Sequence, residues 1–347
     1  MEIKDFGYTI GGGISGKYNR ITDVPGVQVG HCTVDDGDVH SGVTVIFPCN
    51  DSVYENKPVS AVHVLNGYGK TSGTVQVEEL GCIESPIALT NTLSVGNVLD
   101  AMTGYIISDE NTRGIEVRSV NAVVGETNDS EISNIGKRAI KEQHVIAAIK
   151  DAKSHGPEFM EGDVGAGRGT ICFGLKGGIG SSSRLVELNG KTYTIGVLVQ
   201  SNFGETENLT ICGNPIGKRI AEYLEVKAVE DKGSIMIVVG TDAPLTSRQL
   251  KRVIKRAAVG LVRTGSFMGT GSGDVFIGFS NGNLIGKANK NQISNIEMFP
   301  EDRINLLFTA TAEATEEAIL NSLINAYPAQ NRNGKKIHSL CEFINQS

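Results

Sequence analysis

The sequence predicts an α/β fold built in layers. Short β-rich runs alternate with longer helical patterns along all 347 residues. Several of those runs are apolar almost without interruption, as strands covered on both faces must be, and no repeat, low-complexity tract or Pro/Ser linker divides the chain. Strands are expected at 27–32, 43–47, 60–65, 170–175, 192–200, 235–240 and 275–280, and helices at about 94–107, 135–153, 215–225, 247–262 and 312–326. The helix over 247–262 is the best marked: Leu250, Val253, Ile254, Ala257, Ala258, Leu261 and Val262 follow the i, i+3, i+4, i+7 rule. Thr246 with Gln249 three residues on reads as a capping box, and Gly265 stands where a C-terminal stop is wanted. In the last helix Ile319, Leu320, Leu323 and Ile324 share one face. Periodicity does not order the strands.

Composition excludes several classes. Hydrophobic residues make up 39% of the chain, enough for a large core. The net charge is −7 and no basic stripe occurs, so nucleic acid is not an expected partner. No stretch approaches ~18 consecutive apolar residues, so no membrane span is expected. The opening MEIKDFGYTI lacks a basic region followed by an apolar one, which predicts a cytoplasmic protein. The six cysteines form no C-x-x-C pair and read as buried free thiols.

Motifs narrow the chemistry further. GGGISGK at 11–17 has the spacing of a phosphate loop, but Tyr18 replaces the Ser/Thr that would hold Mg²⁺ and no strand leads in, so a glycine turn is the better account. Glycine-rich runs at 162–169 and 265–273 lack the G-x-G-x-x-G fingerprint, yet such loops can present backbone N–H groups to an oxyanion. The histidines His31, His40, His63, His144, His155 and His338 are scattered without metal-ligand spacing. No G-x-S-x-G nucleophile elbow occurs. There remains Lys232-Gly233-Ser234, where a polar segment (Glu230, Asp231, Lys232) ends in glycine and an apolar strand begins at once. Most Gly-Ser pairs before a strand are turns. This one could support a specific reaction: Ser234 attacks the preceding carbonyl, the acyl group shifts from N to O, and hydrolysis leaves Ser234 with a free α-amine. An α-amine has a pKa of about 7.7–8.0 and can serve its own hydroxyl as base.

The sequence resembles the L-aminopeptidase D-Ala-esterase/amidase and β-peptidyl aminopeptidase family, self-processing hydrolases of the N-terminal-nucleophile kind. The likeness runs through NRITDVPGVQVGH (19–31), SGVTVIFP (41–48), VHVLNGYGKTSG (62–73), PIALTNTLSVG (86–96), VGETND (124–129), KGGIGSSSR (176–184), SNFG (201–204), GSIMIVVGTDAPL (233–245), RTGSFMGTGSGDVFIGF (263–279) and EATEEAILNSL (313–323). It implies a four-layer αββα sandwich over residues 1–347, cut between Gly233 and Ser234 into chains 1–233 and 234–347 that assemble as tetramers. It implies Ser234 as nucleophile, Ser272 and Asp274 as its assistants, and Asn202 as the oxyanion donor. Glu126 falls where relatives place an acidic residue near the substrate's free amine, and Asn128 beside it is a further substrate-binding candidate. The implied substrates are small L- or D-aminoacyl amides, esters or short peptides, with β-peptides among them, and no metal or organic cofactor is required.

Three positions depart from the family pattern. No aromatic follows Asn128-Asp129, where the chain continues Ser130-Glu131; Lys70 stands where relatives often carry Glu; and Leu93 stands where they often carry His. These bear on substrate preference. Two alternative readings are an amidase for non-peptide linear amides and an unprocessed, non-catalytic ligand-binding protein of the same fold.

Overall fold

A computed structural model describes residues 1–154, 156–225, 233–286, 293 and 295–344. His155 and the polar residues 230–232 lie outside them. The chain runs β1 (Gln28–Asp36), β2 (Val39–Phe47), β3 (Asn56–Gly67), α1 (Thr74–Leu80), β4 (Ile87–Asn91), α2 (Val95–Thr112), β5 (Val123–Thr127) and α3 (Glu142–Ser154). It continues through the two-residue strands β6 (Ile171–Cys172) and β7 (Leu175–Lys176), then β8 (Ile179–Leu188), β9 (Lys191–Asn202), α4 (Ile216–Tyr223) and β10 (Ser234–Thr241). It ends with α5 (Ser247–Ile254), α6 (Ala257–Arg263), β11 (Gly273–Gly286) and α7 (Asn305–Ile324), followed by short C-terminal elements.

The two large sheets have the orders β1-β2-β4-β5 and β3-β11-β10-β9-β8. Side-chain alternation shows how they stack. Along β10, Met236 and Val238 point into a core that also holds Val29, Ile46, Leu89 and Val123 of the other sheet. Ile235, Ile237 and Val239 point the opposite way, into a core with Leu250, Leu261, Leu320 and Leu323 of the helices. On the far side Val43, Val45, Ala88 and Val124 pack against Val98, Met102, Val145 and Ile149 of α2 and α3. The layers are therefore helix, sheet, sheet, helix: the expected αββα sandwich. Gly125 marks how close the sheets come, because a Cβ there would lie 2.8 Å from the Met236 sulfur.

Local expectations fare unevenly. The capping box at Thr246 and Gln249 forms. The helix over 247–262 is instead two, because the Arg256 N–H donates to Val253 three residues back and interrupts the α-ladder at 255–256. The strand over 170–175 is a tight hairpin: Phe173 and Gly174 both take left-handed conformations, at φ 53° and 70°. The helix over 135–153 is a 3₁₀ turn at Ile135–Lys137 followed, after left-handed Arg138, by α3. β8, β4 and β5 were not anticipated.

Beyond its first turn, from Ala310 to Ile324, helix α7 is buried around its whole circumference, and its acidic residues need partners. Arg184, nearly inaccessible, pairs with Glu317 at 2.7 Å and Glu313 at 3.3 Å. The glycine run 11–13 closes over the same carboxylate, with Gly12 and Gly13 N–H donating to Glu313 at 3.2 and 2.9 Å. A Cβ at Gly11 would overlap the Glu313 carboxyl carbon at 2.0 Å. The GGGISGK loop does cradle an anion; the anion is the protein's own.

Candidate active site

The site lies at one end of the five-stranded sheet. Register places Ser234, the first residue of β10, directly between Asn202, the last of β9, and Gly273, the first of β11. Gly273 in turn faces Gly67 at the end of β3, and the register between β11 and β3 slips just after Asp274. Bulges re-aim side chains where ladders end, and this one sits beside the candidate acid. Ser234 is buried. The Gly233 carbonyl, on the acyl side of the candidate bond, accepts the Gly273 N–H at 3.2 Å.

Glycine is required on both sides of that contact. A Cβ at Gly233 would meet the Phe203 Cα at 2.2 Å and the Asn202 carbonyl oxygen at 2.3 Å. A Cβ at Gly273 would meet the Gly69 nitrogen at 2.5 Å and the Ser234 hydroxyl at 3.3 Å. Of the two glycine-rich runs, 265–273 thus turns a backbone N–H toward the candidate scissile carbonyl. The run at 162–169 does otherwise: Gly165 and Ala166 donate to the hydroxyls of Thr33 and Thr44.

Ser272 and Asp274 come together in the buried interior, Ser272 Oγ donating to Asp274 Oδ1 at 2.7 Å. The loop that carries Ser272 is held by Asn66, whose amide donates to the carbonyls of Gly269 at 2.9 Å and Ser272 at 2.5 Å. Asn66 is not among the site residues expected from the sequence. Asn202 accepts the Ile171 N–H on Oδ1 at 2.9 Å. That bond fixes the amide's orientation and puts its Nδ2 donors on the side away from Ile171.

Two further carboxylates come from the other sheet and the turn that follows it. Glu126, on β5, is buried; Oε1 accepts the Lys70 N–H at 2.7 Å and Oε2 accepts the Thr92 hydroxyl. It reaches the same neighbourhood as Gly273, since a Cβ at Gly69 would lie 3.3 Å from Gly273 Cα and 3.5 Å from Glu126 Oε1. Burial raises its pKa, opposed by those two hydrogen bonds and by the Lys70 charge. Burial also lifts Asp129 to about 6, against Ser41 and Asn91 beside it, and the Glu126 charge adds to the rise. Asn128 is exposed and its side-chain carbonyl accepts the Ser130 N–H at 2.9 Å, a local turn. The Lys70 ammonium folds back onto the Tyr68 carbonyl and ring, at the exposed rim.

This arrangement can present a hydroxyl to a carbonyl whose oxygen meets a backbone N–H, with an amide on the neighbouring strand and a buried carboxylate nearby. Among the described residues no cluster of three or more His, Cys, Asp or Glu is placed to hold a metal ion, and no helix is long and apolar enough to cross a membrane.

Known proteins share both sequence and fold. The model of peptidase family S58 matches residues 19–337. A β-peptidyl aminopeptidase of Sphingosinicella microcystinivorans is 39% identical, over 94% of this chain and 87% of its own length. A protein of known structure from Pyrococcus horikoshii OT3 is 44% identical and superposes with a TM-score of 0.92, over 99% of this chain and 98% of that one. The L-aminopeptidase D-Ala-esterase/amidase of Ochrobactrum anthropi, described as a prototype serine aminopeptidase with a variant Ntn hydrolase fold, superposes with a TM-score of 0.89 at 31% identity, over 98% of this chain and 95% of that one. The chain belongs to peptidase family S58 and is a hydrolase with that family's aminopeptidase activity.

Proposed function

We propose that the chain cuts itself between Gly233 and Ser234 and then releases N-terminal residues from short peptides and small aminoacyl amides or esters, peptides beginning with a β-amino acid included. The observation that carries the reading is the row Asn202–Ser234–Gly273, with the Gly233 carbonyl held by the Gly273 N–H. The inclusion of β-amino acids rests on two relatives, both β-peptidyl aminopeptidases, at 39% and 36% identity.

In processing, Ser234 Oγ adds to the Gly233 carbonyl and the developing oxyanion stays on the Gly273 N–H. The C–N bond breaks, nitrogen takes the proton and an ester forms; water hydrolyses it. In turnover, Ser234 Oγ adds to the carbonyl of the substrate's first residue. The Ser234 amine, or Ser272 polarised by Asp274, takes the proton, and Asn202 Nδ2 donates to the oxyanion. The leaving amine departs protonated and water hydrolyses the acyl-enzyme. Glu126 meets the substrate's ammonium. Assembly of processed units into a tetramer belongs to the same proposal and is read by light scattering.

Intact mass and N-terminal sequencing test processing: fragments 1–233 and 234–347 are expected, the smaller beginning Ser-Ile-Met-Ile. Ser234→Ala is expected to stay whole. A wild-type chain still intact after prolonged incubation would overturn self-cleavage. Aminoacyl p-nitroanilides, α and β, are compared with their N-acetylated forms; equal rates on both defeat the exopeptidase reading.

A further inference from the structure

Lys176 is among the largest side chains with no solvent exposure, and it makes no direct ion pair among the described contacts. Its ammonium instead donates to three backbone carbonyls: Gly167 at 3.0 Å, Thr170 at 3.0 Å and Gly177 at 2.7 Å. Burying an ammonium is costly unless every proton is bonded, and here each has an acceptor. A buried ammonium on so short a hairpin acts on the peptide groups it touches.

The Thr170 carbonyl belongs to the same peptide group as the Ile171 N–H. At one end of that peptide stands the ammonium, joined there by the Gly177 N–H at 3.1 Å. At the other, the Ile171 N–H donates to Asn202 Oδ1 at 2.9 Å. We infer that Lys176 is a positioning and polarising residue for Asn202, its charge being relayed through the Thr170–Ile171 peptide to strengthen the asparagine's Nδ2 donors. The inference rests on Asn202 serving as oxyanion donor in the proposed function.

The chain of donors runs in one sense throughout: ammonium to carbonyl, peptide N–H to amide oxygen, amide N–H to oxyanion. Aligned hydrogen bonds polarise one another by about 10–30% per bond. One oxyanion donor is worth about 10²–10³ in rate. A loss of 10–30% of that effect on the logarithmic scale is about two- to eightfold in kcat. Asn202 should also swing more freely once the 167–171 loop loses its tether, and this adds to the loss. Burial pushes Lys176 down to about 7; Asp163, Asp129 and Cys172 favour its charge and Arg168 opposes it. The relay therefore weakens as pH rises through neutrality.

The test is a double-mutant cycle on processed enzyme with a free-amine aminoacyl p-nitroanilide. Lys176→Gln keeps a donor for the loop and removes the charge. Expected is a fall in kcat of about fivefold with KM within about twofold. In an Asn202→Ala background the same substitution is expected to change kcat by less than about twofold, because the donor it acts on is gone. An unchanged kcat in K176Q, or an equal loss in both backgrounds, overturns the inference while leaving the aminopeptidase reading intact. A wild type that turns over no substrate overturns both. Should K176Q fail to fold, Lys176→Met, which keeps the length of the side chain and removes the charge, is read in the same cycle with the same expected and overturning outcomes.

Discussion

The backbone N–H of Gly273 points at the carbonyl oxygen of Gly233 from 3.2 Å, across the β10–β11 register. The proposed scissile carbonyl is thus held in an electrophilic contact before any reaction begins. A methyl at position 273 would lie 2.5 Å from the Gly69 nitrogen, so it cannot be added without displacing that backbone. Gly273→Ala is therefore expected to slow self-cleavage by at least about tenfold, since a misplaced oxyanion donor forfeits much of its ~10²–10³ effect. Gel densitometry over time checks it, and cleavage at the wild-type rate would remove this N–H from the mechanism.

Asn202→Ala should lower kcat by about 10²–10³ with little change in KM, because the lost bond is strongest to the transition state. Steady-state kinetics on processed enzyme read the two constants separately. A rise in KM at constant kcat would assign Asn202 to ground-state binding instead.

The Lys70 charge favours the ionised form of Glu126. Lys70→Glu replaces it with a like charge and pushes the Glu126 pKa further up, so at a given acid pH less carboxylate is available to an ammonium. The acid limb of kcat/KM for free-amine substrates is expected to move to higher pH. Glu126→Gln should lose most discrimination between free and N-acetylated substrates. A pH profile of K70E superimposable on the wild type would place Lys70 outside the site's electrostatics.

Asp129 bears on stability. Its pKa in the folded chain is about 6, against an ordinary value of 3.8. Between those values the folded chain holds a proton that the unfolded chain has lost, so stability from this group falls as pH rises through the window and the cost is full above it. The two units amount to about 3 kcal/mol. Asp129→Asn is expected to be the more stable protein at pH 7.5 and to match the parent near pH 4. Urea unfolding in the uncleaved Ser234→Ala background measures both. A parent advantage at pH 7.5 would mean that Asp129 has a partner worth more than its burial costs.

What could be read in advance follows the range over which a signal acts. The strand at 235–240 is visible because burial on both faces leaves an unbroken apolar run, and the box at Thr246 because it closes within three residues. The break at 255–256 is invisible because a single i−3 bond interrupts the ladder without disturbing which side chains are apolar. The 170–175 hairpin is hidden by Phe173, a residue rarely left-handed; its ring packs on Phe203 at 5.0 Å and its N–H bonds the Phe203 carbonyl. Residues 202, 234, 272 and 274 came from family likeness. Their alignment across three strands, the support from Asn66 and the bond from Ile171 to Asn202 depend on pairings between segments tens of residues apart that no local pattern encodes.

The strand order β3-β11-β10-β9-β8 has a consequence for the lifetime of the molecule if the proposed cut is made. A cut before Ser234 assigns β10 and β11 to one product and β3, β8 and β9 to the other, so the shorter piece lies clamped between strands of the longer on both flanks. Dilution cannot part them without dismantling the sheet. The break would be a permanent mark of age rather than a separation, and the two halves, made apart, would have to meet before either found its shape.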